Sequence, residues 1–81
     1  MFEIGWKEKA LQQLDKLEKN ISSRIIKKVD ELKENPFSKD IKRLKGYDAF
    51  RLRVGDFRVI FEIENNKIII LKVGHRRNIY G

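Results

Sequence analysis

Cysteine is absent from the 81-residue chain, which excludes disulfides, thiolate nucleophiles and cysteine-based metal sites. A single histidine cannot build a histidine cluster, so any catalysis is expected to run without metal or thiol, and no cofactor is expected. Long hydrophobic runs are missing too. The longest, residues 68–71, is far too short to cross a bilayer, and Met1 is not followed by a signal-type apolar stretch. A cytoplasmic protein with no membrane partner is expected. Acidic residues are in deficit, 12 against 19 Lys and Arg, giving a formal charge of +7 and a pI near 9.9. An acidic partner is therefore favoured, with nucleic acid first. Hydrophobic residues at 41% suffice for one small core, and residues 1–81 are read as a single domain.

The charge is unevenly placed. Residues 1–40 hold nine basic and eight acidic side chains, whereas residues 41–81 hold ten basic and four acidic. Interleaved Lys and Glu in the first half reads as a solvated helix face. In the second half six arginines (Arg43, Arg51, Arg53, Arg58, Arg76 and Arg77) suit forked contacts to phosphate.

Phe2, Ile4 and Trp6 alternate with Glu3 and Gly5, the period of a strand whose aromatic side faces a core. From about Lys7, Ala10, Leu14, Leu17 and Ile21 recur at helical spacing, with an interruption expected at Asn20. Ile25, Ile26, Val29 and Leu32 then carry a second helix toward Asn35-Pro36, where proline disfavours helical angles in the residue before it. Residues 37–48 read as a basic loop or strand entry. Phe50, Leu52 and Val54 alternate with arginines, Gly55-Asp56 marks a turn, and Phe57, Val59, Phe61 and Ile63 alternate again. Asn65-Asn66 marks a second turn before the apolar strand 67–73, which Gly74 is expected to end. The fold class is α+β: an N-terminal strand and a helical hairpin packed on a mainly antiparallel four-stranded sheet, in the order βααβββ.

With a two-residue turn at Gly55-Asp56, Val54 lies opposite Phe57, Arg53 opposite Arg58, Leu52 opposite Val59 and Arg51 opposite Ile60. Arg51, Arg53 and Arg58 then share the face turned away from the helices. Like charges directly opposite are unfavourable by up to about 1 kcal/mol, and a bound phosphate would compensate them. Three solvated arginines are the alternative. The following turn returns Gly74 beside Phe57 and Arg58, so that His75, Arg76, Arg77 and Tyr80 emerge at the same end. Counting through Asn65-Asn66 without interruption places Lys72 opposite Val59 on the helix side, which calls for a bulge or another turn length.

The string from Phe50 to Phe61, followed by Val73-Gly74-His75-Arg76-Arg77-Asn78-Ile79-Tyr80 and preceded by Leu44-Lys45-Gly46, resembles the RelE/ParE toxin superfamily, the RelE branch above all. The resemblance covers essentially the whole chain. It implies the toxin of a type II toxin-antitoxin pair, a metal-independent endoribonuclease that enters the ribosomal A site, cuts mRNA and thereby inhibits translation. The 2′-hydroxyl would attack the adjacent phosphorus, leaving a 2′,3′-cyclic phosphate and a 5′-hydroxyl. By this resemblance Arg58 and Arg76 hold the scissile phosphate, Tyr80 orients or activates the nucleophile, and Arg51 and Arg53 match a paired basic position. That pair is lysine in RelE itself. Arginine is a poor base, so Arg53 is cast as an electrostatic clamp, leaving Tyr80 or His75 as the candidate acid or base. Because the chain ends one residue after Tyr80, neutralisation by displacement of a C-terminal helix is not expected here.

Lys42, Arg43, Lys45, Arg51 and Arg77 are the candidate RNA-binding residues, grip on backbone phosphate being the functional reading and a solvated loop the other for Lys42, Arg43 and Lys45. Phe2 and Trp6 are assigned to the core. Asp48 and Asp56 are turn residues. The implied partners are a cognate antitoxin, the ribosome and mRNA. Two rival functions share these features: a ParE-like toxin that poisons gyrase, and a catalytically silent module that binds nucleic acid or antitoxin.

Overall fold

Alternation and helical spacing become seven elements in the computed structural model, which describes residues 1–46 and 48–79. They are β1 (Glu3–Trp6), α1 (Glu8–Asp15), α2 (Lys19–Glu31), β2 (Ile41–Arg43), β3 (Phe50–Val54), β4 (Phe57–Glu64) and β5 (Lys67–His75). The sheet has five strands in the order β1-β5-β4-β3-β2, mixed because β1 runs parallel to β5 while the other pairs are antiparallel. The α+β architecture is as expected; the strand count is one higher. The added strand, β2, pairs Ile41 with Leu52, Lys42 with Arg51 and Arg43 with Phe50. Three residues with one apolar side chain among them give too short an alternation to reveal a strand without its neighbour.

Two further boundaries differ from expectation. The helical break falls at residues 16–18, where Glu18 adopts extended angles (φ −55°, ψ 147°) and its carbonyl accepts the Ile21 and Ser22 N–H groups of α2. Asn20 therefore lies in the first turn of α2. Gly74 does not end the last strand, which continues to His75 because Arg58 and Phe57 still offer β4 as a partner.

One face of the sheet receives both helices. Ala10 and Leu14 of α1 and Ile25 and Val29 of α2 meet Leu52, Val54, Val59, Phe61, Ile68, Ile70 and Val73, with Leu32 completing the cluster. Phe2 and Trp6 pack against it as expected, whereas Ile26 points to solvent. No polar or charged side chain is buried among the described residues. Each large aliphatic or aromatic side chain buried here is worth about 1.5–3 kcal/mol of transfer free energy. Past Trp6 the outer edge of β5 has no strand beside it, and Gln13 of α1 supplies an acceptor there, its Oε1 taking the Val73 N–H at 2.8 Å.

Both hairpin loops are two residues long, joining Val54 to Phe57 and Glu64 to Lys67. Each has a positive φ at its first position, 59° at Gly55 and 56° at Asn65, which matches the twist of the flanking strands. The β4–β5 ladder then shifts register. Phe61 faces Ile70, but Ile60 faces Lys72 and Val59 faces Val73, so Leu71 is the extra residue of a bulge. The bulge restores Val73 to the helix side. Without it a lysine would stand in the apolar core.

Candidate nucleic-acid interface and active site

The face turned away from the helices is built by the same register. Residues directly opposite on neighbouring strands project to the same side, so Lys42, Arg51, Ile60 and Lys72 form one row across β2, β3, β4 and β5. Arg53, Arg58 and Gly74 form the next row. Five cations thus occupy two adjacent rows. Strands about 4.8 Å apart bring Arg53 beside Arg58, the like-charge juxtaposition expected from the sequence, and Lys42 beside Arg51, which was not expected.

Each guanidinium is held differently. Arg53 donates from Nη2 to Asp40 Oδ1 at 2.8 Å, and its backbone N–H bonds the Asp40 carbonyl at 2.9 Å. That hydrogen bond holds the Asp40 carboxyl below the usual carboxylate range, aided by the charges of Arg53, Lys28 and Lys39 and opposed by desolvation. Arg58 curls back over the turn, donating from Nη1 to the carbonyls of Gly55 at 2.8 Å and Phe57 at 2.9 Å. Among the described residues the buried Arg51 Nε has no hydrogen-bond partner. A buried donor in that condition is costly.

The segment after β5 joins the Arg53–Arg58 end of the sheet. The Arg76 N–H donates to the Asp56 carbonyl at 2.8 Å, and Arg76 Nε lies 3.8 Å from Asp56 Oδ1. Asp56 therefore ties the 55–56 turn to the Arg76 loop, a role that its place in a turn did not reveal. Arg77 is exposed, and its backbone N–H donates to His75 Nδ1 at 3.2 Å. With Nδ1 accepting, a neutral His75 carries its proton on Nε2. The ring packs edge-on against Phe57, centroids 5.4 Å apart. In that tautomer Nε2–H can give a proton but not accept one.

Lys42, Arg43 and Lys45 are exposed on β2 and the turn after it. Arg43 is paired with Asp48 at 3.0 Å, an exposed contact of small energetic weight. Tyr80, assigned to nucleophile activation, and Tyr47 lie outside the described residues. Register places Arg51, Arg53 and Arg58 on one face and the Asp56 contacts bring Arg76 to its edge, but the Arg53 guanidinium pairs with Asp40, and Arg53 lines a pocket with Arg24, Lys27 and Lys28 of α2.

Residues 4–80 match the family described as the ParE toxin of the type II toxin-antitoxin system, parDE. This chain belongs to that toxin family. Toxin RelE3 of Methanocaldococcus jannaschii is 43% identical over 47 residues, 57% of this chain and 53% of RelE3, so the matched stretch spans about half that relative's length. The archaeal RelE-RelB complex from Pyrococcus horikoshii OT3 contains a chain that superposes with a TM-score of 0.83 at 27% identity, covering 95% of this toxin and 97% of that chain. The RelB-RelE antitoxin-toxin complex from Methanococcus jannaschii gives 0.76 at 29% identity, covering 94% of each chain. The toxin is a RelE/ParE superfamily member.

Sequence reasoning left one cation of this face out of the site. Lys72 reaches the open face only through the bulge at Leu71, and there its Nζ donates to the Ile79 carbonyl at 3.1 Å. The signal was present. An uninterrupted register would place a lysine among core side chains, and that conflict itself marks the bulge. Asp40 was also missed, because its role depends on β2 lying next to β3. Among the described residues no three His, Cys, Asp or Glu side chains group as metal ligands do, and no helix is long and apolar enough to cross a membrane.

Proposed function

We propose that this toxin is a ribosome-dependent endoribonuclease that cleaves mRNA in the A site, with Arg58, Arg76 and Tyr80 at the reacting phosphate and Arg51 and Arg53 in support. The observation that carries the reading is the pair of cationic rows on the open face, with the Arg76 loop fastened to their end by Asp56. In the reaction the 2′-oxygen bonds to phosphorus as the bond from phosphorus to the 5′-oxygen breaks. The 2′-oxygen loses a proton to a base, and the departing 5′-oxygen gains one. Tyr80 is the favoured base, and His75, with its proton on Nε2, is the candidate acid for the departing 5′-oxygen. Arg58 and Arg76 offset the charge building on the phosphoryl oxygens. Arg51 adds charge from the neighbouring row, while Arg53, paired with Asp40, acts as a clamp on neighbouring backbone.

Lys42, Arg43, Lys45 and Arg77 contact RNA backbone in this reading, and the relatives solved as RelE-RelB complexes support a cognate antitoxin as partner. A cytoplasmic location follows from a ribosomal target. The test is purified protein on programmed ribosomes with end-group analysis of the fragments. Codon-associated ends bearing 2′,3′-cyclic phosphate are expected, lost in Tyr80→Phe while folding and antitoxin binding persist. The ParE description of the matched family favours gyrase as the second target. Trapped gyrase-DNA cleavage with intact message would replace the ribosomal reading by that one.

A further inference from the structure

We propose that Lys72 is a positioning residue: its ammonium anchors the C-terminal segment through the Ile79 carbonyl, one peptide bond before Tyr80, so that the catalytic role proposed for Tyr80 depends on this anchor. The inference rests on the endoribonuclease reading for its catalytic consequence, but not for the anchor itself. Three independent features converge on Ile79. First, its side chain is 3% exposed and packs with Ala49 and Ile60 in a small cluster flanked by Leu44 and Leu71, on the sheet face opposite the main core. Second, Asn78 and Ile79 return their N–H groups to the His75 carbonyl at 2.9 and 3.0 Å, turning the chain back over the sheet. Third, the Lys72 Nζ donates to the Ile79 carbonyl at 3.1 Å.

Lysine near the end of a helical turn satisfies a carbonyl that has no backbone donor, and the charge strengthens that bond. The bulge makes it available. Leu71 adds its side chain to the cluster holding Ile79, and the shifted register sets Lys72 opposite Ile60, beneath the returning chain. Gly74 permits the close approach, since a Cβ there would stand 3.2 Å from Ile79 Cδ1. A bulge, a lysine and a glycine within four residues of β5 thus serve one contact.

Lys72→Met keeps the aliphatic stem over Ile60 and removes the donor, whereas Lys72→Arg keeps a donor. On programmed ribosomes Lys72→Met is expected to lower kcat by roughly tenfold to a hundredfold with KM little changed, as for a misplaced catalytic group. Lys72→Arg is expected to recover most of that loss. By NMR, Lys72→Met should raise the mobility of the Ile79 δ-methyl and the residue-80 amide while the β4 and β5 amides keep their shifts. An unchanged tail in Lys72→Met overturns the anchor. A loosened tail with wild-type kcat overturns positioning, and so does a fall in kcat with the tail unmoved. Should the wild-type protein leave ribosome-bound message intact, the nuclease reading fails, and with it the catalytic role of Lys72. The NMR comparison then still decides whether Lys72 holds the tail.

Discussion

The two faces of the sheet are made from the same strands and differ in almost every physical respect. On the helix side the alternating residues of β3, β4 and β5 lie in a dry apolar cluster with no buried polar side chain among the described residues. On the open side the intervening residues are Lys42, Arg51, Arg53, Arg58 and Lys72, interrupted by a patch around Ile60 and Ile79. One face supplies stability and the other collects charge at some expense to it. Substitutions on the two faces should therefore separate into stability effects and activity effects.

The largest expected effect tests the covered face. Phe61, fully buried, should lose about 3–5 kcal/mol of unfolding free energy as Phe61→Ala, measured by denaturant titration. Removing one of the donors proposed for the transition state on the other side, as Arg76→Ala or Arg58→Ala, should reduce the proposed cleavage of ribosome-bound message roughly 10²–10³-fold while the unfolding midpoint stays near that of the wild type. A joint loss of fold and activity in both arginine variants would break the division.

Gly55→Ala should be milder, costing about 1 kcal/mol or somewhat more. Its φ of 59° disfavours a side chain, and a Cβ would lie 3.1 Å from Arg24 Nη2. The smallest effect concerns Asp40. Its folded pKa is lowered by the Arg53 hydrogen bond, so the pair's contribution is present above the unfolded carboxylate value and fades as pH falls through the folded one. Asp40→Asn should remove that acid limb from a plot of denaturation midpoint against pH and leave the profile above it parallel to the wild type.

Much of the open face was legible because alternation and a two-residue turn are local. They fix Arg53 opposite Arg58 before any fold is known, and the structure keeps that pair in register. The apolar strand 67–73 likewise announced an interior position, and β5 lies between β1 and β4. Other features had no local signal. β2 is three residues long, and its pairing supplies both Lys42 to the cationic row and the approach of Asp40 to Arg53. Asp56 was read as a turn residue, yet its carbonyl receives the Arg76 N–H from twenty residues along the chain.

By itself the amino-acid order determined which side chains would be apolar at period two or at helical spacing, where the tight turns fall, and that cations crowd the second half. Those properties depend on neighbours in sequence. Tertiary structure decided which carboxylate meets which guanidinium, that a bulge turns Lys72 from the core to the open face, and that Ile79 seats beside it. The reason is physical. Register across strands is a property of two segments together, and burying a charged lysine costs more than one irregularity in a ladder.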